Sequence, residues 1–96
     1  MCYKSKNLER VCTILAEAKK QHGMRMANLI HQRVEQIQAA SSIEELVKFS
    51  IGRCHPLKEN RKGEFAMDLV HPYRLVFVQV KDQVEVVRII MIEDYH

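Results

Sequence analysis

His55-Pro56-Leu57-Lys58-Glu59-Asn60-Arg61-Lys62-Gly63 is a polar, basic joint between two halves with different periods. Downstream of it, Phe65, Met67 and Leu69 alternate with Glu64, Ala66 and Asp68. A period of two predicts a strand with one buried face. Val70-His71-Pro72-Tyr73 then carries the punctuating proline and predicts a turn. From Tyr73 to Val80 nearly every position is apolar, with Arg74 and Gln79 as exceptions. Such a run predicts a central strand covered on both faces. Pro72 would interrupt a ladder, so it belongs in the connection. Lys81-Asp82-Gln83 predicts a hairpin turn. The run from Val84 to Ile92 is again near-continuous, with Glu85 and Arg88 as its polar members.

Upstream of the joint the period is helical. Leu8, Val11, Cys12, Leu15 and Ala16 form one apolar stripe, which predicts a helix from Asn7, with Asn7 as its cap and Gly23 as its break. Met26, Leu29, Ile30, Val34 and Ile37 define a second helix over 24–40. The short gap between the two favours an antiparallel hairpin. Ser42 lies three residues before Glu45, a capping-box start for a short helix ending near Phe49. Residues 1–6 are compatible with an edge strand or a frayed end. The expected architecture is α+β: an N-terminal antiparallel helical hairpin packed on a small, mostly antiparallel sheet, in a single domain spanning residues 1–96.

The 96 residues are 47% hydrophobic and 28% charged, which is ordinary for a folded domain and excludes a disordered chain. No apolar run is long enough to span a bilayer, and residues 1–6 lead into a charged helix without a secretory pattern, so no membrane partner is expected. Three unpaired cysteines, Cys2, Cys12 and Cys54, fit reduced thiols and a cytoplasmic location. Residues 53–63 hold four fixed cations (Arg53, Lys58, Arg61, Lys62) against Glu59, an excess equal to the net +3 of the whole chain.

The joint is read as one wall of a phosphate-handling site, with Asp94-Tyr95-His96 as the other. Arg74 is anomalous in an apolar strand: it should be paired, face a functional cavity or snorkel to water. His55 precedes a proline, which pushes it towards extended backbone. His22, His31 and His71 receive no role. Nucleotide-binding loops, the His-Glu-x-x-His zinc motif and the Gly-x-Ser-x-Gly elbow are absent. The acidic residues are scattered, so neither a metal nor a cofactor is expected. Histidine, tyrosine, lysine and arginine can together cleave RNA without one. A base takes the 2′-OH proton, an acid protonates the departing 5′ oxygen, and fixed cations stabilise the phosphoryl charge. The same residue types also suit a simple nucleic-acid binding face.

Three motifs in order, His55-Pro56-Leu57-Lys58-x-x-Arg61-x-Gly63, Tyr73-Arg74-Leu75-Val76-Phe77 and Glu93-Asp94-Tyr95-His96, closely resemble the HigB-type toxins. These plasmid maintenance killer proteins are a branch of the RelE/ParE superfamily of type II toxin–antitoxin systems. The match covers residues 53–96. The resemblance implies a RelE-like fold and a ribosome-dependent endonuclease that cuts mRNA and arrests growth. It implies a helix-turn-helix antitoxin as partner, with operator DNA bound only through that antitoxin. It implies catalytic roles for His55, Lys58, Arg74, Asp94, Tyr95 and His96. Arg53, Arg61 and Lys62 would contact ribosomal or messenger RNA. The family usually has glycine after Lys58, where this chain has Glu59; a left-handed backbone there would strain the loop. Two other functions fit less of the pattern. One is a non-enzymatic, ParE-like toxin that binds DNA gyrase, which has no use for the Asp94-Tyr95-His96 ending. The other is a basic RNA-binding module.

Overall fold

Ser5 begins the first helix, not Asn7. Its hydroxyl accepts from the Leu8 amide at 3.1 Å and caps α1 (Lys6–Thr13). The structure is a computed structural model and describes residues 1–80 and 87–94. The expected turn at Lys81-Asp82-Gln83, the first residues of the expected last strand, Tyr95 and His96 lie outside the described residues.

The long first helix expected from the apolar stripe is broken. Ile14 is extended (φ −117°, ψ 104°), and a second helix, α2 (Leu15–His22), starts after it. Thr13 and Ile14 are both β-branched and weak helix formers. The Thr13 hydroxyl also donates back to the Glu9 carbonyl at 2.7 Å, a bond that bends helices. The break shifts the buried face: Leu8, Val11 and Cys12 are buried in α1, but α2 buries Ala18 and leaves Leu15 exposed. Asn7 instead pairs its amide reciprocally with Gln21, at 3.2 and 2.8 Å. Two residues 14 apart can meet like this only if α2 folds back on α1.

Gly23 adopts φ 84° between α2 and α3 (Met24–Ala39). α3 buries Met26, Ala27, Ile30, Val34 and Ile37, close to the expected stripe. His31 on α3 reaches the Val11 carbonyl at 2.9 Å and ties α3 to α1. Ser42 accepts from the Glu45 amide at 3.2 Å and starts α4 (Ile43–Lys48), as the capping pattern requires. No helix of the described residues is long and apolar enough to cross a membrane.

Among the described residues five strands form one sheet: β1 (Cys2–Tyr3), β2 (His55–Pro56), β3 (Glu64–Asp68), β4 (Tyr73–Gln79) and β5 (Val87–Asp94). Their order is β1-β5-β4-β3-β2. Among the described strands only β1 runs parallel to its neighbour, β5. The fold is thus α+β, with the helices against one face. On that face Met67, Leu75, Phe77 and Ile89 are fully buried with Ile30 and Leu46 in the core. Phe65 stacks on Phe77 with centroids 6.0 Å apart. β4 lies between β3 and β5 and buries Leu75, Val76 and Phe77 completely, as expected of a central strand. β3 differs from expectation: Ala66 on its other face is also fully buried. What lies over Ala66 and Val76 defines the candidate site.

Candidate functional site

The segment before β2 is bent by left-handed backbone at Ser50 (φ 50°), Gly52 (φ 58°) and Arg53 (φ 56°). Gly52 is required twice over. A Cβ there would come within 2.8 Å of Arg33 Nε and 2.9 Å of its Cδ. That side chain cannot easily yield, because Nε donates to the Asp68 carbonyl at 2.7 Å and Nη1 to Gln36 Oε1 at 3.0 Å. Burial draws the Arg33 guanidinium below its ordinary pKa, while Asp68 opposes the shift. The bend drops Cys54 into the core and leaves His55 exposed.

His55 and Pro56 then pair with Ala66 and Phe65 as a two-residue edge strand, a position that tolerates proline. Continuing the register gives a row across the sheet: His55, Ala66, Val76 and Met91 on β2, β3, β4 and β5. The next row of that face is Asp68, Arg74 and Glu93. His55 and Arg74 therefore share the face turned away from the helices. The His55 Nδ1 lies 2.8 Å from the Arg53 carbonyl oxygen. A carbonyl only accepts, so Nδ1 carries the proton and the neutral ring keeps its lone pair on Nε2.

The loop after β2 returns across this face. Arg61 donates its amide to the Lys58 carbonyl at 3.2 Å, which closes a turn with Glu59 at φ 61°. Glu59 thus does occupy the left-handed position that suits glycine. It is exposed, and it joins none of the ion pairs among the described residues. Arg61 Nε donates to Glu64 Oε1 on β3 at 2.9 Å, and Nη1 to Glu93 Oε2 on β5 at 2.7 Å. Its Nη2 lies 3.7 Å from Met91 Sδ. One guanidinium bonded to both β3 and β5 must lie over β4 between them. That accounts for the burial of Ala66 and Val76.

Glu93 also accepts from Arg74 Nε through the same Oε2, at 2.7 Å. Arg61 first, then Arg74, holds the Glu93 carboxyl below the usual carboxylate range, against the opposing effect of burial. Glu93 and then Glu64 raise the Arg61 guanidinium above its ordinary value. Arg53, highly exposed, lies 3.4 Å from Asp68 Oδ2. The open face is therefore a mosaic of alternating charge: Arg53, Asp68, Arg74, Glu93, Arg61 and Glu64.

This revises the reading of the basic joint. Arg61 in the joint and Arg53 just before it each meet a carboxylate from outside the joint. Lys58 and Lys62 are exposed and join no ion pair among the described residues, so they carry its unmatched charge. The structure brings His55, Arg61 and Arg74 to one face, with Arg53 at its rim. Asp94 pairs with Tyr73 at the end of β5, so alternation sets it on the side opposite Glu93. Tyr95 and His96 lie outside the described residues. Sequence reasoning assigned no role to Glu93 and Glu64; a signal for Glu93 was its place two residues from Met91, on the face of β5 that meets Arg74. Among the described residues no group of three or more His, Cys, Asp or Glu could hold a metal ion. The arrangement can bind an anion and accept a proton at His55 Nε2. No known family model matches the chain, and neither does any curated protein.

Proposed function

We propose that the chain is a RelE-like, HigB-type toxin that cuts mRNA on the ribosome. The observation that carries this reading is the shared sheet face: exposed His55 lies on the face turned away from the helices, together with Arg61 and Arg74. In the reaction, His55 Nε2 takes the proton of a 2′-OH. The freed oxygen attacks the adjacent phosphorus, the bond from phosphorus to the 5′ oxygen breaks, and an acid protonates that oxygen. The products are a 2′,3′-cyclic phosphate and a 5′-OH. Arg74, with Lys58 from the loop, stabilises the charge gathering on the phosphoryl oxygens. The resemblance implies that Tyr95 or His96 is the acid and that Asp94, which alternation sets on the side of β5 opposite Glu93, orients it. Arg53, Arg61 and Lys62 hold the RNA backbone, and a helix-turn-helix antitoxin restrains the toxin in the cytoplasm.

The test is expression of the chain alone in bacteria, with mRNA 5′ ends mapped across the transcriptome. New 5′ ends within translated codons, lost with His55→Ala and with His96→Ala, are expected. Growth arrest with intact mRNA and an induced DNA-damage response would refute the reading and favour gyrase. RNA binding unaffected by either substitution, with no new ends, would leave a binding module.

A further inference from the structure

Glu93 is one carboxylate holding two cations from different parts of the chain. Its Oε2 accepts at 2.7 Å from Arg61, on the loop, and at 2.7 Å from Arg74, on the central strand. Asp68 and Glu64 each pair with one arginine of the face, Arg53 and Arg61 respectively. Without Glu93 the two guanidinia would repel each other. Arg61 would keep only Glu64, its neighbour three residues on, and would lose its only described ion pair with β5. A carboxylate and a phosphate offer guanidinium the same kind of acceptor. Glu93 thus sits where two arginines converge on an anion.

We propose that Glu93 is a positioning residue for a phosphodiester-binding site made by Arg61 and Arg74, fixing both guanidinia over the open face while moderating their pull on polyanions. This rests on the RNA reading above and adds a residue to it. It predicts opposite effects on binding and on turnover, which a merely structural carboxylate would not produce. Removing the charge releases cationic surface, so RNA binds more tightly. Removing the clamp lets the guanidinia wander, so the bound phosphate is less well placed for attack.

The test is Glu93→Gln, nearly isosteric but uncharged, beside the unaltered protein. Affinity for a single-stranded RNA is titrated against salt, and cleavage is measured at saturating ribosome-bound mRNA. One gained phosphate contact steepens the salt slope by about 0.7 and tightens binding roughly fivefold at 0.1 M salt. Turnover at saturation is expected to fall roughly tenfold or more. Glu93→Asp keeps the charge one methylene further back; it should slow turnover without tightening binding. It also serves if Glu93→Gln fails to fold. An unaltered protein that cuts mRNA, with variants matching it in salt slope and saturated rate, overturns this inference and spares the RNA reading. An unaltered protein that neither binds nor cuts RNA overturns both.

Discussion

Replacing Gly52 by alanine probes the bend that delivers His55 to the sheet. Two costs are separable. Alanine at φ 58° pays for left-handed backbone, about 1–2 kcal/mol. Its Cβ also lands 2.8 Å from Arg33 Nε, so the charge-assisted bond to the Asp68 carbonyl must break or stretch, at about 1.5–3 kcal/mol. The sum, about 2.5–5 kcal/mol, corresponds to a fall in melting temperature of roughly 10 to 40 °C for a domain of this size. Urea denaturation monitored by circular dichroism reads the change directly. The same substitution in an Arg33→Ala background isolates the backbone part, because the clashing side chain is gone; the cost should drop to about 1–2 kcal/mol. A cost below about 0.5 kcal/mol in the native background would refute the reasoning, as would equal costs in both backgrounds.

Three further outcomes follow from the same geometry. Glu59→Gly removes a side chain from left-handed backbone and should raise the urea midpoint, by about 0.5–1 kcal/mol of stability once the freer unfolded glycine is counted. The depressed Glu93 carboxyl contributes stability that is present above its unfolded pKa and lost as pH falls through the lower folded value. Acid titration of unfolding below pH 4.5 should therefore be shallower in Glu93→Gln than in the unaltered protein. Burial pushes the Cys12 thiol up to about 12 and Cys54 up to about 11, whereas Cys2 is exposed. A thiol reagent at pH 8 should label Cys2 alone until urea unfolds the chain, as mass spectrometry of the peptides would show.

Elements with a strong local signal were readable from the residues. The α3 stripe and the Ser42 cap are written in spacing alone. β3 is written in the shift to period two, the turn in Pro72, and the central strand in a near-continuous apolar run. The break at Ile14 was hidden because Leu15 and Ala16 continue the apolar period on paper. Only the β-branched pair Thr13-Ile14 hinted at it. β2 was invisible because two residues hold no period. At the candidate site, the residue types and their shared neighbourhood were legible. Their charge balance was not: Arg61 and Glu93 are 32 residues apart in the chain, and only the folded sheet brings them together. A basic window in a sequence counts charges before tertiary structure has matched them.

The strand order has a consequence for assembly. β5 is the last of the described strands in sequence, yet it inserts between β1, the first of them, and β4. During synthesis, β1 therefore emerges early and waits without a pairing partner, and β4 keeps one open edge. Arg61 and Arg74 meet Glu93 only when β5 closes that gap. The pairing of β2, β3 and β4 uses no residue after Gln79, but the carboxylate that joins Arg61 and Arg74 arrives only with β5. The charge balance of the face is thus tied to the β4–β5 pairing: without β5, Arg61 and Arg74 have no Glu93 between them.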